Sequence, residues 1–303
     1  MIRGIARFLY KNSIRKISSI AMVQPSNTQL LHRDQDTSLE LVFSDGNNED
    51  WKSFLNVCIT AYQNDVVYKQ MYPNDKKRHE FLKYYFEHYY RFAYKNGLGK
   101  LAYIQAEDLV INNTSMVGGL TVVNACDYSE REDPRMKWID MEGWNKYIRR
   151  KRWLNDKVFR RFQNISYTLG RKLVYISSAV LLDQYRSMLP FGNWASHCSE
   201  QFIEYSYGKD WKDRTLPFFI TDYSFLALHL TRHSSKIVQV YYCNDGNFFG
   251  NKTERGTKKD SLIWALVFGV DDDDTIKYIT EQTRDNDSVD VTNTWSFKDQ
   301  LVR

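Results

Sequence analysis

Ten basic side chains fall within residues 143–172: Lys146, Arg149, Arg150, Lys151, Arg152, Lys157, Arg160, Arg161, Arg171 and Lys172, against Asp156 as the only acid. Such density sets up a strong local positive field. Trp144 and Trp153 stand among the bases and offer rings for stacking. The chemistry this suits is recognition of a polyanion, either RNA or an anionic surface, with Arg149, Arg150 and Arg152 as contacts. The competing reading is a solvated basic face on an amphipathic helix. Other chemistries are poorly represented. The chain has no G-x-S-x-G, no P-loop and no H-E-x-x-H. Cys198 follows His197, but adjacent residues on a helix point in different directions, so the two do not form a dyad. Cys58, Cys126, Cys198 and Cys243 lie far apart, with no C-x-x-C and no His pair at metal spacing. That pattern argues against a disulfide scaffold or a structural zinc site and fits a reducing compartment. Asp271–Asp274 lacks the alternate spacing and the glycine of a calcium loop. No metal site is expected.

The elements that must position these residues can be read from periodicity. With 303 residues, 43% hydrophobic and 15% aromatic, the chain can bury a large core and is not a disordered polymer. No run approaches the ~20 apolar residues that a membrane span needs. One domain is expected over residues 37–270. Alternation in Thr37–Ser44 predicts a strand, and residues 48–61 predict a helix with Trp51, Phe54, Cys58 and Ile59 on one side. Pro73-Asn74-Asp75 opens a longer helix with a Phe81, Tyr85, Tyr89, Phe92 stripe that ends at Gly97. Strands are expected at 100–107 and 115–125, where Gly118-Gly119 points to a bulge or a close backbone approach. A helical insert spans 142–170. The run at 173–182 is continuous and apolar, so it reads as a central strand buried on both faces. A helix at 192–207, a strand at 216–223, a short helix at 224–233 and strands at 236–242 and 261–270 complete the domain. The expected class is α+β, with a mixed, mostly antiparallel sheet flanked by helices.

Charge divides the chain further. Residues 1–33 carry six bases and no acid, whereas residues 271–303 carry nine acids and four bases. The leader, taken as residues 1–36, is amphipathic and Ser-containing, the composition of a mitochondrial transit peptide. It predicts delivery to the matrix, with initiation at Met22 giving a cytosolic form. The tail from 271 is expected to be loosely held.

The element order resembles that of the GNAT-type N-acetyltransferases, through Ala61-Tyr62-Gln63-Asn64-Asp65, Met71-Tyr72-Pro73-Asn74-Asp75, Arg78, Tyr84-Tyr85-Phe86, Gly97 and Val117-Gly118-Gly119. The resemblance covers most of 37–270 and implies a GNAT-like single domain. It further implies acetyl-CoA as co-substrate and a small or protein amine as acceptor. In that family a glycine-bearing loop after the fourth strand turns backbone N–H groups toward the pyrophosphate at a helix N-terminus. Carried onto this sequence, the cofactor would be held by Val180, Gln184, Arg186, Gly192, Asn193 and Ala195. The spacing departs from the family's loop, with Leu189 and Phe191 standing where glycines belong. An acid that protonates the leaving thiolate would be Tyr223 or His229, although no Gly-Phe pair follows them. Two functions follow: an acetyl-CoA-dependent N-acetyltransferase, or a fold that has lost transfer and binds RNA, a ribosome or an anionic membrane through 143–172.

Overall fold

In a computed structural model, the described residues are 27–44, 46–65, 68–69, 72–93, 99–126, 146–189, 191–221, 227, 230, 235–243, 261–285 and 288. Eight strands form one sheet in the order β1-β2-β3-β4-β5-β6-β8-β7. They are β1 (Thr28–Arg33), β2 (Thr37–Phe43), β3 (Gly99–Asp108), β4 (Asn113–Asn124), β5 (Lys172–Leu181), β6 (Thr215–Thr221), β7 (Ser235–Cys243) and β8 (Ser261–Phe268). Every neighbouring pair is antiparallel except β5 and β6, which run parallel. The expected α+β class with a mostly antiparallel mixed sheet is therefore present. β1 lies inside the segment read as leader, so the sheet begins nine residues earlier than residue 37.

Seven helices are described: α1 (Asn48–Gln63), α2 (Asp75–Ala93), α3 (Lys146–Leu169), α4 (Asp183–Arg186), α5 (Phe191–Tyr207), α6 (Trp211–Arg214) and α7 (Asp273–Thr283). Their apolar stripes build two cores, one on each side of the sheet. Trp51, Phe54, Phe81, Phe86, Phe159, Phe162 and Ile279, from α1, α2, α3 and α7, pack against Tyr175, Val180, Phe218 and Tyr241 on the first face. Trp194, Cys198, Phe202 and Trp211, from α5 and α6, pack against Val174, Ile176, Leu181 and Phe268 on the second. β5 contributes alternate side chains to both, which is why its sequence is apolar without interruption.

Local rules set the helix starts. The Asn47 side chain accepts from the Asp50 N–H at 2.8 Å, and acidic Glu49 and Asp50 occupy the positive first turn of α1. Asp272 does the same for α7, accepting from the Thr275 N–H at 2.9 Å. The segment read as a loosely held tail thus opens with a docked helix. Ile279 is fully buried, and the Tyr241 hydroxyl donates to the Thr283 carbonyl at 2.7 Å. Asp285 beyond it forms ion pairs with Lys157 and with Arg161, the latter at 3.1 Å. Part of the basic stretch on α3 is therefore neutralised within the chain.

Candidate functional site

β5 is paired differently at its two ends. Lys172 to Tyr175 align with Thr215 to Phe218 of β6, and the parallel ladder stops there. β5 continues alongside β4 to Leu181, while β6 continues alongside β8 to Thr221. The two strands no longer pair with each other beyond Tyr175 and Phe218, which leaves a wedge-like gap in the hydrogen bonding of the sheet. The cause is local. The β4–β5 register shifts between Thr121 and Val122, leaving Ser177 as an extra residue on β5. A bulge of this kind bends and twists its strand. It is fastened by the Thr121 and Ser177 hydroxyls, 2.8 Å apart. Val117 is the extra residue in a second bulge, on β4 against β3. The Leu182 N–H donates to the Val117 carbonyl at 2.9 Å, tying the end of β5 to that bulge.

Gly118 and Gly119 follow because the backbones come too close for a side chain. A Cβ on Gly118 would lie 2.7 Å from the Val180 carbonyl oxygen, and one on Gly119 would lie 2.7 Å from that of Ala102. The sequence reading of a bulge or close approach here is met on both counts.

Immediately past β5, α4 brings Arg186 back over the strand end. Its Nε donates to the Leu181 carbonyl at 3.2 Å, and its guanidinium pairs with Asp183 at 3.1 Å. The end of α1 lies nearby. Burial pushes the Tyr62 phenol well up, Cys58, Tyr85 and Asp65 add to this, and the Arg186 guanidinium acts against it. Tyr62 stacks on Phe86 (5.5 Å between ring centres) and meets Tyr68 edge-on at 5.4 Å. The α1–α2 connection is held by Arg78, whose side chain is almost fully buried. Its Nε donates to the Gln63 carbonyl at 2.7 Å and Nη1 to that of Tyr72 at 2.6 Å, while Nη2 pairs with Asp75. Arg78 is thus a clamp that fixes an aromatic arm next to the wedge.

Val180 is buried on β5 in the first-face core, and Gln184 and Arg186 are exposed on α4. Gly192 and Asn193 fall in the first turn of α5, and Ala195 is buried against the second face. Val180, Gln184 and Arg186 are therefore adjacent at the end of β5. Residues 183–195 are largely helical, with Leu189 and Ala195 packed in the core. Tyr223 and His229 lie outside the described residues. Arg149, Arg150 and Arg152 lie on the backbone of α3. Ser177, Thr121 and Tyr62 were not singled out for the site. An apolar strand interrupted by Ser177-Ser178 was the one signal of the bulge.

The buried cysteines are poor nucleophiles. Burial pushes the Cys198 thiol up to about 12, and that of Cys58 well above its ordinary value. Neither is a thiolate at neutral pH, the form a nucleophile needs. Among the described residues, no three His, Cys, Asp or Glu side chains gather as metal ligands. Also among the described residues, no helix is long and apolar enough to cross a membrane.

An α+β domain with a mixed sheet is what these observations define. No protein-family model matches the chain, and no curated protein does. Solved structures do match. One is described as the C-terminal condensation domain of Ebony in complex with beta-alanyl-dopamine, at 12% identity and a TM-score of 0.43, covering 75% of this chain and 97% of that one. These findings overturn the resemblance to GNAT-type N-acetyltransferases. No family model supports the assignment, and residues 183–186 and 191–195 are helical where an open glycine loop was expected. The chain is not placed in that family.

Proposed function

We propose that the chain transfers an acyl group from a coenzyme A thioester, acetyl-CoA being the simplest, to an amine, using the wedge between β5 and β6 as the donor site. The observation that carries the reading is the end of the β5–β6 ladder at Tyr175 and Phe218 while both strands continue. A parting parallel pair offers backbone N–H and C=O groups along a slot, suited to the amide-bearing arm of such a thioester. Arg186, exposed where β5 ends, supplies a cation for the donor's phosphates. The amine nitrogen attacks the thioester carbon, the C–N bond forms and the C–S bond breaks. The thiolate leaves with its electron pair and takes up a proton as the amine loses one. Buried cysteines with raised thiols favour direct attack over an acyl-enzyme.

The test is calorimetric titration of the full chain with acetyl-CoA, followed by thiol release in the presence of an amine panel. Binding in the micromolar range, weakened roughly 10- to 100-fold by Arg186→Ala, is expected for one charge-assisted contact. Absence of heat with acetyl-CoA and with longer acyl-CoA thioesters sinks the reading. Residues 1–33, basic and free of acids, support delivery to mitochondria. A reporter fused behind residues 1–33 should go there, and a fusion starting at Met22 should stay cytosolic. A diffuse signal from the longer fusion removes that part.

A further inference from the structure

α3 turns its apolar side, Leu154, Val158, Phe159, Phe162 and Ile165, into the first-face core. Its other side carries a line of residues spaced by seven: Trp153, Arg160 and Tyr167. Seven residues are two turns less about 20°, so the three stay within roughly 40° of one line and about 10 Å apart along it. All three face water: Trp153 is 38% exposed, the Arg160 side chain 63% and Tyr167 90%. Lys157 holds its ammonium 4.6 Å from the centre of the Trp153 ring. The segment's one acid, Asp156, is buried and pairs with Arg160 at 3.2 Å, so it adds no exposed negative charge. Lys146, Arg149, Arg150, Lys151 and Arg152 add five bases to the first turns of the same helix.

We infer that this side of α3 is a docking surface for single-stranded nucleic acid, with the bases of α3 on phosphates and the Trp153 and Tyr167 rings on nucleobases. The charge is complementary: the segment holds ten bases against one acid, and the excess persists after Asp285 pairs with Lys157 and Arg161 and Asp156 with Arg160. Rings separated by cations are the pattern that tracks a strand, because every nucleobase has a face to stack and every nucleotide a charge. Exposed amphipathic helices that lie in membranes instead present a continuous apolar face. Here that face is already spent on the core, and the exposed positions between the rings are Arg160 and Asn164 rather than aliphatic residues. The span from Trp153 to Tyr167, about 21 Å, matches roughly six stacked nucleotides at about 3.4 Å each.

The experiment is fluorescence anisotropy of a labelled oligouridylate with the full-length protein, across a salt series. Vesicles of phosphatidylcholine with phosphatidylserine run in parallel. Binding should occur at low salt and weaken with a log–log slope of about −2 or steeper, at about −0.7 per phosphate contacted. Tyr167→Ala should cost on the order of tenfold in affinity. The triple change Arg149→Glu, Arg150→Glu and Arg152→Glu should abolish binding. Circular dichroism checks that each variant is folded. Tyr167 projects so far into water that its removal leaves packing untouched. No binding by the wild type at low salt overturns the inference. So does affinity indifferent to Tyr167→Ala, or capture by vesicles without capture of the oligonucleotide. Acyl transfer is read separately and is independent of this surface.

Discussion

The two ends of β5 are built from similar residues and behave oppositely. At the closed end, Lys172 to Tyr175 pair with β6, and Val174 and Tyr175 also pair with β4. The rings beside them are dense: Phe218 stacks on Phe162 with centres 4.7 Å apart, with Phe159 at 5.0 Å and Tyr175 at 5.1 Å. At the open end, Ile176 to Leu181 pair only with β4, past a bulge, and the neighbours are a polar hydroxyl pair and an arginine. Hydrophobicity does not distinguish the two ends, since each is largely buried. The difference lies in which backbone groups have a strand opposite them. One end of the strand holds the two halves of the sheet together, and the other supplies the place where they part.

The comparison breaks most visibly at the closed end. Phe218 is completely buried, and Phe218→Ala should cost about 3–5 kcal/mol because the ring cluster cannot collapse around the gap. Denaturant titration followed by circular dichroism reads this. A loss below about 1 kcal/mol would mean that the four-residue ladder is not what joins the halves.

Gly118→Val addresses the open end. The new Cβ would press on the Val180 carbonyl and on Leu181, forcing the bulged strand aside. Overpacking of this kind costs about 1–3 kcal/mol. Binding of acetyl-CoA should fall more than stability does, because the strand that moves lines the wedge. Equal binding by variant and wild type separates the wedge from the donor site.

A smaller effect is expected at the docked tail. Tyr241→Phe removes the hydroxyl that donates to the Thr283 carbonyl while Arg161 still donates there. The loss should be about 0.5–1.5 kcal/mol, confined to earlier release of α7 in hydrogen exchange. A change at the wedge would mean that the tail and the site are coupled.

Much of this architecture was legible in the sequence because periodicity is local. The continuous apolar run of β5 and the amphipathic stripes of α1, α2 and α3 each carried their own signal. β1 was hidden in a basic leader, since an edge strand of half-exposed residues needs little apolar content. α7 was hidden by its acidic start, although Asp272 followed by Asp273 and Asp274 is also what a helix N-terminus selects. The wedge was not legible, because it depends on where a ladder stops, which is a property of two strands and not of either. The family resemblance failed for a related reason. Short motifs such as Arg78 with Asp75 describe how a helix pair is clamped, which many unrelated chains can share.

Cysteine chemistry gives the finest comparison. Cys58 lies in α1 near the Tyr62 arm beside the open end, whereas Cys198 lies in α5 on the second face. Burial raises both thiols, Cys198 to about 12 from an ordinary 9.0. The sign follows from the neutral form being favoured in the fold. The contribution to stability is complete below pH 9 and is lost as pH climbs toward 12, where the unfolded chain's thiols have ionised first. At pH 8 a thiol with that value is about one part in ten thousand thiolate, so reaction with a disulfide reagent should require opening. In a Cys243→Ser background, exposed Cys126 should react at once and the other two only slowly. If the wedge and its aromatic arm open more readily than the second-face core, Cys58 should be labelled before Cys198. Saturating acetyl-CoA should slow Cys58 selectively. Equal labelling of the two, unaffected by acetyl-CoA, would show that the open end is as rigid as the rest of the sheet.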